Sequence, residues 1–468
     1  MQEAVEYFLE QFKNIEAERK LLENPRRIGA ELKFPLVNLK GEAAKLEDVK
    51  SLWKHLEENG WEPIIDPYAK GVVGARKEGE KNHSIASCET GFCKTEFSLA
   101  HVETLHTLQE DIDDLREVLR EFSERNDVIF LCYGIQPFTH PGKELLMKKS
   151  RNIFWDRLFK TNNIIPEEEG TDVLLFTVSA SSQVHVDVKR EEAIDALNVF
   201  NGLSGAQIAL TANSNVWKNH IDSQYKSVGE IFWDLWLTNH PGRFGVPERK
   251  FRNMEEYLLH LMEFPPVYVK RGEDTIGLPH CPSFKEFYSC SGEMGGCHKK
   301  RELKNQCGLS ADGKPVSVRA DQMDFDQHLT FFWHNARISP YFTLENRVND
   351  QQPPGDILVI SALTLGIMEN LDGAKSLMDS YPWELLREMR FCAIREGLSG
   401  KVAGISLSDI SSAMLKIAEA GLRKRGFGEQ KYLDPLWERL QQQICPADMA
   451  AEIFRSGGAE GLVERFRL

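Results

Sequence analysis

The sequence predicts an α+β fold built on an antiparallel sheet. Helical and strand-like stretches are mixed without the regular βαβ rhythm of a doubly wound fold. Around residue 185 the alternation of a strand is clean, with Gln183, His185 and Asp187 on one face and Val184, Val186 and Val188 on the other. From Ile357 onward the apolar spacing is helical throughout.

The elements follow in order. "MQEAVEYFLEQFKNIEAERKLLEN" carries Val5, Phe8, Leu9, Phe12 and Ile15 at helical spacing, which predicts an amphipathic helix rather than a signal peptide. "NPRRIGAELKFPLVNLKG" reads as extended, so Glu31 and Lys33, two positions apart, share a face. Val102, Leu105, Leu108, Ile112, Leu115, Leu119 and Phe122 predict a buried helical stripe, and "DVIFLCYGIQPF" after it a buried strand. Ile194, Leu197, Phe200 and Leu203 predict one helix from about Arg190 to Ala212. Residues 270–327, with Pro, Gly, Cys281, Cys290, Cys297 and Cys307, read as an inserted loop, and "RISPYFTLENRVND" as a strand ending in turn residues. The expected division is a sheet domain over 1–356 and a helical region over 357–468 packed on it.

The 468 residues are 41% hydrophobic and 27% charged, the composition of a globular protein with a sizeable core. A formal net charge of -14 argues against a nucleic-acid surface, which needs a basic face to release counterions. No window approaches the ~18 apolar residues of a membrane span. Nine cysteines, an odd number with no export signal, predict reduced thiols and a cytoplasmic location.

A Walker loop, a dinucleotide glycine fingerprint and a nucleophile elbow are all missing from the sequence, which excludes the strongest signatures of those classes. Instead, Glu31, Glu96, His185 and Glu345 sit inside strand-like apolar runs, "GAELKFPL", "KTEFSLA", "QVHVDV" and "FTLENR". Glutamate is depleted in strands, and inward-facing carboxylates need partners; gathered on one concave face they would supply hard oxygen ligands for Mg²⁺, with an imidazole beside them. Taken singly, each is more often a structural accident than a ligand. The cysteines of 270–327, near His280 and His298, lack the close pairs of structural zinc, and free thiols are the expectation. Cys93 lies near the candidate strand with no visible disulfide partner.

Six segments in order resemble the glutamate-cysteine ligase family, in its plant and bacterial branch: "RIGAELKF", "NGWEPI", "SIASCETGFCKTEFSLAHVETLH", "SQVHVDV", "YFTLENRVND" and "AGLRKRGFGEQKYLDPLWE". The resemblance implies a glutamine-synthetase-like antiparallel sheet curved into a funnel, with ATP and divalent ions on its concave face. It implies an ATP-dependent ligase forming an amide: ATP phosphorylates the γ-carboxylate of glutamate, and an amine, by default that of cysteine, attacks the acyl phosphate. Carried over by motif, Glu31, Glu96, His185 and Glu345 are the expected metal ligands. Glu89 and Gln183 are their expected neighbours at the nucleotide. Arg347 and Arg337 are expected to hold phosphate or carboxylate oxygens.

The family's opening strand reads Gly-x-Glu-x-Glu, and here the second glutamate is Lys33. An ammonium cannot ligate Mg²⁺. Lys33 contacts phosphate or substrate directly, or the reaction runs on fewer ions, or the reaction has changed; a lysine reaching to solvent is the plain alternative. The expected partners are glutamate and an amine such as cysteine, or a carrier peptide, for a monomer or homodimer in glutathione-type biosynthesis. The rivals are a ligase for another amine in a specialised pathway and a non-catalytic homologue that binds a peptide or protein.

Overall fold

The computed structural model describes residues 2–21, 24–79, 83–149, 152, 155, 160–289 and 308–468. Nine strands form its main sheet: β1 (Ile28–Asn38), β2 (Glu62–Asp66), β3 (Gly71–Glu78), β4 (His83–Cys88), β5 (Lys94–Ser98), β6 (Val128–Phe130), β7 (Ser181–Asp187), β8 (Ala336–Ile338) and β9 (Thr343–Asp350). Their order is β8-β9-β7-β1-β5-β4-β3-β2, with β6 on the far end of β1. Every pair in it is antiparallel, as the sequence predicts.

Alternation along the strands separates two faces. Ala30, Leu32 and Phe34 of β1, Phe97 of β5 and Val184 and Val186 of β7 are buried on the core side; burial of each larger side chain is worth roughly 1.5–3 kcal/mol. Helices cover that side. α1 (Gln2–Glu18) packs Phe8 and Phe12 against Phe342 in the turn before β9, and α2 (Leu46–Glu58) lies on β3. α3 (Leu105–Asn126) is capped by Thr104, whose hydroxyl accepts from the Thr107 N–H. α4 (Ala193–Gly202), α5 (Ser204–Thr211) and α6 (Val228–Trp236) follow β7. Asn346 of β9 donates to Gln207 of α5 and to Thr364 of α7 (Val359–Glu369), both at 2.8 Å, tying the sheet's back to the C-terminal helices. α7 crosses α9 (Leu407–Arg425), after α8 (Trp383–Glu396), at a backbone contact: a Cβ on Gly421 would lie 2.0 Å from the Gly366 carbonyl oxygen.

Four expectations are corrected. The helix over 190–212 is two helices, broken at Leu203 beside Gly202 and Gly205; a Cβ at Gly205 would come within 3.0 Å of the Met389–Arg390 backbone, so close approach of α8 decides the local sequence. Of "DVIFLCYGIQPF" only Val128–Phe130 is strand. "RISPYFTLENRVND" is a hairpin, β8 and β9 around a turn in which Phe342 takes φ +56°. Residues 270–327 are more than a loop: Asp274–Gly277 pairs with Tyr268–Arg271 and with Gly308–Leu309, which in turn pairs with Pro315–Val316. Cys290, Cys297, Cys307 and His298 lie outside the described residues.

Candidate active site

Opposite the core side, the sheet forms the floor of a cavity of about 760 Å³. Register brings chemistry together there. Across β8, β9 and β7, Arg337 stands opposite Glu345, and Glu345 opposite His185. Across β7, β1 and β5, Gln183 faces Glu31 and Glu31 faces Ser98, while Lys33 faces Glu96 one step along. All nine residues expected from the sequence, Glu31, Lys33, Glu89, Glu96, Gln183, His185, Arg337, Glu345 and Arg347, line this one cavity.

Their contacts divide into two corners. In the first, a carboxylate can only accept, so His185 Nε2 donates to Glu31 Oε1 at 3.0 Å; it also lies 3.9 Å from Glu345 Oε2. His185 Nδ1 meets the Thr343 hydroxyl at 2.8 Å, which fixes the ring. Arg337 grips Glu345 with two hydrogen bonds, at 2.7 and 3.1 Å, and spends its remaining nitrogen on the Thr330 and Phe332 carbonyls. Arg347 also pairs with Glu345, and donates to Gln183 Oε1 at 3.2 Å.

The second corner centres on Lys33. Its ammonium lies 2.9 Å from Glu96 and 3.7 Å from Glu31. Burial pushes the Glu31 carboxyl up, but the hydrogen bond from His185 and the charges of His185, Lys33 and Arg347 outweigh it and hold it at about 2. Burial lowers the Lys33 ammonium, yet Glu96, Glu31 and Glu89 together leave it above its ordinary value. Glu96 is raised, by burial and by the neighbouring acids Glu89 and Glu31. Beyond Glu96 on the same strand face, Lys94 donates to the Ser179 carbonyl at 2.6 Å, and burial brings it down to about 8.

The residue types in the first corner, two carboxylates and an imidazole, are ones a divalent cation takes. Their arrangement is not a preformed centre: Glu345 is held by two guanidiniums, His185 Nε2 carries a proton toward Glu31, and among the described residues no three His, Cys, Asp or Glu side chains converge as a metal site.

Sequence reasoning missed several lining residues. Lys94 had a signal, two positions before Glu96 and so on its face. Asp350, at the end of β9, accepts from the Asn213 N–H and the Ser214 hydroxyl, and burial pushes its carboxyl up to about 7. A wall of rings, Trp155, Trp233, Trp236, Trp333, Phe176 and Tyr268, borders the cavity; Trp233 stacks on Trp333 with centroids 5.6 Å apart. Cys93 is buried, and burial pushes its thiol up to about 12.

Among the described residues no helix is long and apolar enough to cross a membrane. Residues 27–465 match the glutamate-cysteine ligase family 2. The chain is 23% identical over 399 residues to the chloroplastic glutamate–cysteine ligase of Solanum lycopersicum, covering 84% of this chain and 69% of that one. With the corresponding Nicotiana tabacum protein it shares 23% over 419 residues, covering 88% and 72%. A solved glutamate–cysteine ligase from Francisella tularensis, in complex with AMP, has the same fold at a TM-score of 0.53 and 10% identity, over 94% of this chain and 87% of that one.

Proposed function

This chain belongs to the glutamate-cysteine ligase family 2, and on that premise we propose that it is an ATP-dependent ligase joining the γ-carboxylate of glutamate to an amino-acid amine, with cysteine the default. The observation that carries this reading is the convergence of Glu31, His185, Glu345 and Arg347 on one cavity of the sheet. A carboxylate oxygen of glutamate attacks the γ-phosphorus of ATP and ADP leaves. The amine nitrogen then attacks the acyl carbon, phosphate leaves, and the nitrogen loses a proton.

The chain's residues serve these steps by binding and by electrostatics, with no protein nucleophile. Arg347, whose guanidinium reaches the cavity between Glu345 and Gln183, is suited to hold phosphoryl or carboxylate oxygens in a bidentate grip. Arg337 has every nitrogen engaged, and acts as a positioning residue for Glu345. Gln183 and Glu89 border the nucleotide in this reading. A divalent ion such as Mg²⁺, held by phosphate oxygens with Glu31, His185 and Glu345, would supply neutralisation of the transferring charge. The ring wall and the sheet keep water from the acyl phosphate.

The same wall favours a second reading within the class, an amine with a larger apolar body than cysteine, a peptide included. Reduced, buried Cys88, Cys93, Cys132 and Cys445 suit the cytoplasm as the compartment. The test is phosphate release from ATP with Mg²⁺ and glutamate across a panel of amines, with product masses. A γ-glutamylcysteine product supports the default, and another adduct the second reading. No release with any amine would sink the ligase and leave a binding homologue.

A further inference from the structure

We propose that the Lys33 ammonium is a fixed internal cation, standing between Glu31 and Glu96 where a divalent ion would otherwise sit. That divalent ions work on this floor rests on the ligase reading; the geometry of the pair stands apart from it.

Both carboxylate oxygens of Glu96 are already engaged. Its Oε2 takes the Lys33 ammonium at 2.9 Å, and its Oε1 accepts from the Ser98 hydroxyl at 3.2 Å. Lys33 is directly opposite Glu96 in the β1–β5 register, so the pair is built by the sheet rather than by a flexible side chain finding a partner. The Lys33 carbonyl accepts from Gln351 Nε2 at 3.1 Å, which holds β1 from the other side of the residue. Only 6% of Lys33 is exposed, which rules out a lysine reaching to solvent.

Mg²⁺ needs oxygens at about 2.0–2.1 Å in near-octahedral array, and an ammonium among them would both block and repel it. Burying a lone ammonium would be costly, and three carboxylates, Glu31, Glu89 and Glu96, act on this one. The acids that would otherwise attract a second metal are therefore those that contact Lys33. The floor is thus asymmetric, with Glu31, His185 and Glu345 at one corner and the Lys33–Glu96 ion pair at the other. The ammonium is delivered by the chain itself and needs no free metal.

Binding of Mn²⁺, followed by electron paramagnetic resonance with the non-hydrolysable β,γ-imido analogue of ATP, tests this without turnover. Lys33→Glu should bind an additional Mn²⁺ per chain relative to wild type, and Glu96→Gln should leave wild-type Mn²⁺ affinity within about twofold. A folded Lys33→Glu with wild-type stoichiometry overturns the proposal. A fall of about tenfold or more in Glu96→Gln overturns it too, and decides alone if Lys33→Glu fails to fold. Failure of the ligase reading would appear instead as absent phosphate release while Lys33→Glu still gains its additional Mn²⁺.

Discussion

Arg337 and Glu345 stand opposite each other on β8 and β9, and guanidinium and carboxylate meet fork to fork at 2.7 and 3.1 Å, while Arg347 approaches the same carboxylate from its own strand. A buried carboxylate held by two guanidiniums cannot be removed quietly. Glu345→Ala leaves two buried guanidiniums without their carboxylate, and chemical denaturation should show a loss of about 3–5 kcal/mol. Glu345→Gln keeps an acceptor and the shape, so it should cost less stability while ATP-dependent turnover falls by about 10²-fold or more. A fully active Glu345→Gln would count against its place in the chemistry.

Asp350 gives a pH dependence with a definite sign. Its folded carboxyl is raised to about 7, above the ordinary aspartate value, so in the window between them the unfolded chain gives up a proton that the folded chain keeps. Its contribution is intact below the unfolded value and is lost as pH rises toward 7. Asp350→Asn has nothing to ionise and can still accept from the Asn213 N–H. Relative to wild type it should gain stability between about pH 4 and 7, on the order of 4 kcal/mol at most, read from urea midpoints across that range. A parallel pair of curves would mean that Asp350 ionises freely in the fold.

Which of these features could be read from the sequence follows from the range of the forces. Glu31, Glu96, His185 and Glu345 were legible because a charged or imidazole side chain in an apolar strand run is locally anomalous, and strand alternation then fixes its face. The ring wall was not, since Trp155, Trp233 and Trp333 come from separate segments and meet only through tertiary packing. The small sheet within 270–327 was hidden because strands such as Gly308–Leu309 are two residues long, too short to display a period. The break at Leu203 depends on how closely α8 passes Gly205, a contact no window around residue 203 contains.

Trp233 tests the choice of amine. It is half-buried at the cavity, with its ring stacked on Trp333 and 4.3 Å, centroid to centroid, from Phe176. Trp233→Ala should raise KM for a bulky apolar amine by about tenfold while leaving KM for ATP near wild type. An equal rise for both substrates would assign the ring to packing alone.

Gly421 separates fold from chemistry. With the Gly366 carbonyl 2.0 Å from where its Cβ would be, Gly421→Ala must push α7 and α9 apart. The thermal midpoint should fall by an amount equivalent to about 1–3 kcal/mol. Activity per folded molecule should hold, because both glycines lie behind the sheet; a lowered KM or altered metal binding would show that the back of the sheet sets the floor's geometry.

The balance of acids and bases around the cavity has a kinetic side. Eight Asp and Glu side chains line it against six Lys and Arg, in a chain whose net charge is -14. The acids are not outweighed, so the lining projects no attractive field for a polyanion, and the molecule as a whole repels one from afar. Diffusional capture of ATP should therefore quicken, not slow, as added salt shortens the Debye length, the reverse of an enzyme that steers its substrate in. Selectivity for the nucleotide is then exercised after arrival, by the exchange of internal ion pairs for pairs with phosphate.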